Sequence, residues 1–414
     1  MNRKQFILLV IVGLLVGGAG YYLSQKDSSS WKSGGGAMGQ KVVSDFPVND
    51  VARVTIKNDK AELSLVKTNE VWTVGERSFY PANFGDIKEF LSKVWELKAV
   101  QSEEIGETQL SRLELVEPGK GAGSGTMVEF RNKEGKMLRS LILGKKHMKK
   151  GGAASPFGGG GGDEGWPDGR WVKVLGEAKS KDASLVTESF SQIEPKPEQW
   201  LNKDFFKVEK LKSIAVTHLD ATNSWSLSRA AESSEMILAE AKDGEKLDSS
   251  KVYSHANAFS SASFNDVLMS DAKPEVTGLD KATTVKIETF EQFSYTIKVG
   301  KGSGEDAFHL AFTVGGNFPK EREPGKDEKK EDVEKLEKEF KEKFEKNQEK
   351  LAKEKELEKW IFLVSKWTVE PVQKVRKDLM AEKKDEAKEG AKDATKAAGN
   401  DDEKLPEPKL NLNN

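Results

Sequence analysis

Four histidines, two glycine clusters and one acidic loop are the residues of this chain whose types could do chemistry. A metal site on one element needs histidines at spacings such as H-x-x-H or H-x-x-x-H. His147, His218, His255 and His309 form no such pair, so no local metal site and no cofactor is expected. A phosphate cradle needs G-x-x-x-x-G-K-[ST], or G-x-G-x-x-G between strand and helix. The stretches 119–125 (GKGAGSG) and 300–304 (GKGSG) match neither and read as turns. A hydrolase elbow, G-x-S-x-G, is absent, because Ser124 and Ser303 each follow a glycine directly. The acidic loop 163–169 (DEGWPDG) lacks the spacing of an EF-hand. The chain has no cysteine, which removes disulfides, thiolate nucleophiles and thiolate metal ligands together. The expectation is a protein that is not an enzyme. A site assembled from distant residues would betray itself as a pocket with perturbed acids or histidines.

Aromatic residues offer the other kind of chemistry, stacking on a ligand. Trp72, Trp171 and Trp360 fall in predicted strands and Trp95 in a predicted helix, where core packing explains them. Trp31 and Trp166 stand in glycine-rich stretches and are the better candidates for exposed contacts.

The elements that must position these residues begin with an apolar run. Residues 6–23 (FILLVIVGLLVGGAGYYL) carry no charge and follow Arg3 and Lys4. At ~1.5 Å per residue, such a run approaches the ~30 Å hydrocarbon core of a bilayer. Tyr21 and Tyr22 suit the headgroup level, and the basic residues place the N-terminus in the cytoplasm. Residues 1–23 are therefore expected to form a single-pass anchor in the inner membrane, with the bulk of the chain periplasmic or extracellular. A cleaved signal peptide is the rival, with Gly18 and Gly20 as a poor cleavage site. Residues 24–41, rich in Ser and Gly, read as a flexible linker.

Among the 414 residues, 36% are hydrophobic and 32% are charged. Both figures depart from the ~45–50% and ~25% of a typical soluble domain towards a partly solvated chain. Net charge is −2, so nothing favours nucleic acid as a partner.

From 42 to 380 the pattern occurs twice, and the fold class expected is α+β: two tandem units of antiparallel strands with helices. The first unit, 42–200, opens on alternating strands at 51–56, 62–67 and 70–74; the second, 201–380, opens on 211–216, 224–229 and 235–239. A helix follows in each, 83–98 and 249–264, the latter with Asp248 as N-cap. Two more strands then end alike, in Leu143-Gly144-Lys145 and Val299-Gly300-Lys301. A tryptophan-bearing strand (171–174, 360–364) and a terminal helix (183–193, 369–380) close each unit.

Two inserts are expected at equivalent places, projecting from the same edge. The first, 149–170, is glycine-rich; the second, 317–359, is a Glu/Lys helix with a thin apolar seam. The seam residues Val333, Leu336, Phe340, Phe344 and Leu351 are the candidate partner-binding residues, for another protein or for self-association. The tail, 381–414, is charged, alanine-rich and expected to be disordered.

The motif D-V-x-x-V-x-I (50–56), the strand ending in Val71-Trp72, the Gly278-Leu279 loop and the strand closing in Ile142-Leu143-Gly144 resemble the bacterial domain of unknown function 4340 family. The first unit departs from the family loop, with Arg112-Leu113-Glu114 in its place. The resemblance implies an extracytoplasmic accessory protein beside ABC transporters of the gliding-motility type, with transporter subunits as partners. The expected function is a membrane-anchored, non-catalytic accessory or scaffold protein. The alternative is an envelope module that binds polysaccharide or peptide in an aromatic-lined groove between the units.

Overall fold

The computed structural model describes residues 31–33, 38–149, 166–176, 182–243, 245–269, 271–302, 304, 306–324, 328–329 and 332–381. The anchor segment 6–23 and the tail from 382 lie outside the described residues. Among the described residues no helix is long and apolar enough to cross a membrane.

The architecture is α+β, and its strands pair antiparallel. The first sheet holds β1 (Trp31–Ser33), β2 (Arg53–Lys57), β3 (Glu62–Thr68), β4 (Val71–Val74), β5 (Tyr80–Pro81), β6 (Ala99–Ile105), β7 (Thr126–Arg131), β8 (Met137–Lys149), β9 (Trp166–Leu175) and β10 (Asp182–Val186). Its order is β1-β6-β10-β9-β8-β7-β2-β3-β4-β5. The second holds β11 (Leu211–Thr217), β12 (Trp225–Ser228), β13 (Ile237–Leu238), β14 (Asp266–Met269), β15 (Thr283–Thr289), β16 (Phe293–Lys301), β17 (Ala307–Gly316) and β18 (Trp360–Ser365). Its order is β13-β12-β11-β15-β16-β17-β18-β14. Read from β4 to β6, the first sheet has the same order as the second, strand for strand; β5 and β1 are additions at its two ends.

Alternation builds these strands. In β2, Val54 and Ile56 are buried while Arg53 and Thr55 face outward, as a half-buried strand requires. Among the described residues the helices of eight residues or more are α1 (Phe84–Glu96), α2 (Ser249–Ala256), α3 (Val333–Leu357) and α4 (Lys366–Gln373). Asn83 caps α1 by accepting from Gly85 N–H, and Asp248 caps α2 by accepting from Ser250 and Lys251 N–H. Helix α2 is shorter than the periodicity of 249–264 predicts, because the chain leaves it at Asn257 and reverses through Phe259 at φ +61°.

Four expectations need correction. Residues 182–186 are a strand, not the start of a terminal helix. Ala183, Val186, Phe190 and Ile193 recur at helical spacing by coincidence, and Phe190, at φ +47°, breaks any helix there. A strand at 307–316 intervenes, so the two tryptophan strands do not correspond: β9, with Trp171, occupies the position of β17, and Trp360 lies in β18, the counterpart of β10. The inserts are consequently not equivalent. One joins β8 to β9 and the other β17 to β18, at opposite ends of the strands. Part of the expected linker is also strand, since β1 pairs with β6.

One continuous apolar core runs through both units, from Val43 to Leu379. The units meet through aromatic rings. Tyr80, 1% exposed, packs edge-on to Trp360 at 4.8 Å and Phe264 at 5.8 Å between centroids. Beside it the Arg77 guanidinium donates to both carboxylate oxygens of Asp266, at 2.6 and 2.7 Å. The linking segment adds Phe205 against Phe362 and Phe206 against Phe312, and Ala82 bridges to Leu201. Burying rings of both units in one core ties their stability together.

Candidate functional site

The charged insert is the first candidate. Its 25-residue helix α3 is held on its exposed face by ion pairs at i,i+4, such as Lys353 with Glu349 at 2.7 Å. Its C-terminal half lies on the second sheet. Leu351 and Leu357 pack against the main core. Glu354, 5% exposed, accepts from the Tyr295 hydroxyl at 2.9 Å and from Lys207 N–H at 3.2 Å. Lys350 donates to the Lys207 carbonyl at 2.8 Å and sits 5.0 Å above the Phe293 ring. Glu358 accepts from Val314 N–H at 2.7 Å. Burial pushes the Glu354 carboxyl above its usual range, and burial together with the Glu354 charge pushes Tyr295 upward.

The seam is therefore occupied in large part by the chain itself. Phe344 and Leu351 line one shallow groove of about 340 Å³ with Phe318. Phe340 and Phe344 line another of about 130 Å³ with Phe290 and Phe318. Leu336 is half-buried, and Val333, 36% exposed, is the seam residue most open to solvent. The sequence identified the seam, but not Phe318, which lines both grooves with it, nor Tyr295 and Val314, which bond Glu354 and Glu358.

A larger concave feature than these grooves lies elsewhere. A cleft of about 640 Å³ lies between α1 and residues 188–200. Phe90, Phe190 and Trp200 form its floor, packed on one another and buried. On its rim Lys93 meets Glu89 at 2.7 Å and Glu188 at 3.6 Å, and Lys196 pairs with Glu194. Hydrogen bonding to Glu89 raises Lys93, and hydrogen bonding to Lys196 lowers Glu194. Both shifts favour the charged forms of Lys93 and Glu194. The carboxyls and the histidine displaced mainly by burial, Glu103 and Glu354 upward and His255 downward, line no part of this cleft.

The histidines lie apart. His147 Nδ1 is 2.6 Å from Asp168 Oδ1 on an exposed hairpin. His218 contacts the Lys374 carbonyl, His255 donates to the Lys251 carbonyl at 2.7 Å beside the Trp225 ring, and His309 is buried in β17. Among the described residues no group of three His, Asp or Glu side chains is arranged to hold a metal ion. Of the tryptophans, Trp72 is core, Trp166 is 65% exposed, and Trp95 is partly exposed under Lys41, whose ammonium lies 4.1 Å from its centroid. The side chain of Trp31 lies outside the described residues.

The shared Gly-Lys motif has a structural cause. The loop after β6 crosses Gly144, where a Cβ would overlap the Leu113 carbonyl; Lys145 N–H donates to that carbonyl at 2.8 Å. In the second unit, Gly300 lies under Thr277 in the same way, and Gly278 takes φ +65° to make the crossing. The cluster 119–125 is likewise a turn, clasped by Asp59, which accepts from Gly119 N–H at 2.8 Å and from the Ser124 hydroxyl. Sequence reasoning missed Arg170. Its buried guanidinium donates to the carbonyls of Gly144, Leu143 and Phe190, joining the first sheet to the linking segment.

Comparison with known proteins finds a domain of unknown function (DUF4340) at residues 167–282, from β9 to just before β15. No curated protein and no solved structure matches the chain.

Proposed function

We propose that this chain is a membrane-tethered, non-catalytic scaffold of the cell envelope, an accessory subunit of an ABC-type transport complex. The observation that carries the reading is the fusion of two units of like strand order through one buried aromatic seam. Such a body presents two similar faces at fixed spacing, which is what a scaffold needs and a diffusing binding module does not. The matched order, with Gly144 and Gly300 crossed by equivalent loops, also supports an internal duplication. The uncharged run 6–23 after Arg3 and Lys4 supports the tether and its orientation.

Fractionation of cells expressing the chain with and without residues 1–30 tests the tether. The full chain should pellet with membranes and be digested by protease added outside the cytoplasmic membrane; the shortened chain should not pellet. A full chain that stays soluble, or is protected from that protease, overturns the reading. A second reading, an envelope ligand-binding module, has the 640 Å³ cleft in its favour. Trp200 in the cleft floor supplies its test: titration with envelope polysaccharides or peptides should shift tryptophan emission, and Trp200→Phe should abolish the shift.

A further inference from the structure

Two of the chain's four histidines, His218 and His255, stand beside one strap, residues 374–381, which leaves α4 and crosses the second unit next to α2. The strap is held at several points. Leu379 is buried in the core. Asp248 N–H donates to the Leu379 carbonyl, Ala381 N–H to the Lys246 carbonyl, and the Lys251 ammonium to the Met380 carbonyl at 3.1 Å. Arg376 pairs with Glu245 at 2.8 Å. Where the strap begins, the Lys374 carbonyl accepts from Trp225 Nε1 at 2.8 Å and lies 3.1 Å from His218 Nε2.

His255, on α2, is 3% exposed, and its ring meets the Trp225 ring edge-on at 5.1 Å. Its Nδ1 lies 2.7 Å from the Lys251 carbonyl, which can only accept, so Nδ1 carries the proton of the neutral ring. Nε2 is buried and has no hydrogen-bond partner among the described residues. Protonating Nε2 therefore puts an N–H and a positive charge where nothing accepts them, a state that burial penalises. Burial, and after it the Lys374 charge, holds His255 below its ordinary 6.5, against the Lys251 carbonyl bond and the Asp378 carboxylate.

The other ties of the strap tolerate mild acid. His218 can donate from Nε2 in either charge state, and the Thr283 hydroxyl, 3.4 Å from Nδ1, can donate to the neutral ring or accept from the charged one. Arg376 holds Glu245 at about 2, so that ion pair persists.

We propose that His255 makes the strap an acid-released latch: its protonation at Nε2 parts residues 374–381 from α2 and Trp225 while both sheets stay folded. An imidazole held below its ordinary value binds its proton more weakly in the closed latch than in the open one, so closure is firm above 6.5 and weakens as pH falls below it. The sheets survive because the strap joins no strand ladder; Leu247 and Met380 form an isolated bridge.

Amide exchange in the full chain, corrected for the pH dependence of intrinsic exchange, reads the latch. Protection of the Met380 and Ala381 amides should fall at least about tenfold between about pH 8 and about pH 5, with the central strand β15 still protected. His255→Phe keeps an aromatic ring against Trp225 and cannot titrate, so it should hold that protection at both values. The absence of native cysteine permits a second variant. Leu247 and Met380 face each other as a non-hydrogen-bonded pair, whose ~4.5 Å Cα separation suits a disulfide. Leu247→Cys with Met380→Cys, oxidised, should abolish the acid loss. Protection that acid leaves unchanged, that His255→Phe loses equally, or that disappears only together with β15 overturns the proposal. The His255 ring signal in wild type needs no variant: it should titrate below 6.5 in step with the loss at Ala381, and titration at or above 6.5 overturns the latch.

Discussion

Truncating Tyr80 to alanine should uncouple the two units. The ring is buried against Trp360, Phe264 and Phe362, so its loss opens a cavity that both units line. Replacing a buried aromatic by alanine costs about 3–5 kcal/mol, and each lost edge-on aromatic pair accounts for roughly 0.5–1.5 kcal/mol of such a sum. Three pairs place Tyr80→Ala in the upper half of the range, about 4 kcal/mol. Tyr80→Phe keeps the ring and should lose less than about 1 kcal/mol. The assay is calorimetric and denaturant unfolding of the full chain. Wild type should unfold in one transition through the described core, and Tyr80→Ala should split it, the two units melting apart. A loss under about 1 kcal/mol, which is ordinary for a surface position, would refute the reasoning. So would a wild-type chain that already melts in two independent steps.

Gly144→Ala and Gly300→Ala should each destabilise by about 1–3 kcal/mol, since the new Cβ must displace the loop carbonyl crossing it; chemical denaturation reads this directly. Glu354→Gln probes the buried carboxyl under α3. Its folded pKa is raised, so the native state holds the proton more tightly, and that contribution is full below the ordinary value of 4.5 and lost as pH rises. The variant should match wild type at low pH and become the more stable as pH climbs towards neutrality, measured by melting at a series of pH values. Arg376→Ala probes the opposite sign. Hydrogen bonding from Arg376 lowers Glu245 to about 2, so its contribution is present above 4.5 and lost as pH falls towards 2. The variant should show a shallower loss of stability over that acid window.

Local pattern made much of the fold legible. Strict alternation located β2, β3, β11 and β16, apolar spacing located α1, and Asp248 as N-cap located the start of α2. Pattern failed where two periods coincide, as at 183–193, and where a strand carries a polar residue amid apolar ones, as His309 does in β17. Missing β17 shifted Trp360 onto Trp171 and made two unrelated inserts look equivalent. The seam of α3 is visible as spacing, but Phe318, which lines the grooves beside it, is revealed by no helical period. The same holds for the contact between the units. Tyr80, Phe264 and Trp360 come together only once both sheets exist, and each alone reads as an ordinary core aromatic.

The scaffold reading is tested most directly by chemical crosslinking in native membranes, followed by gentle solubilisation, affinity recovery of the chain and mass spectrometry. Subunits of an ABC-type transport complex should be recovered in constant proportion to it, with crosslinks to residues of both units. Recovery of the chain alone, as a monomer under conditions that keep other membrane complexes intact, would contradict the account.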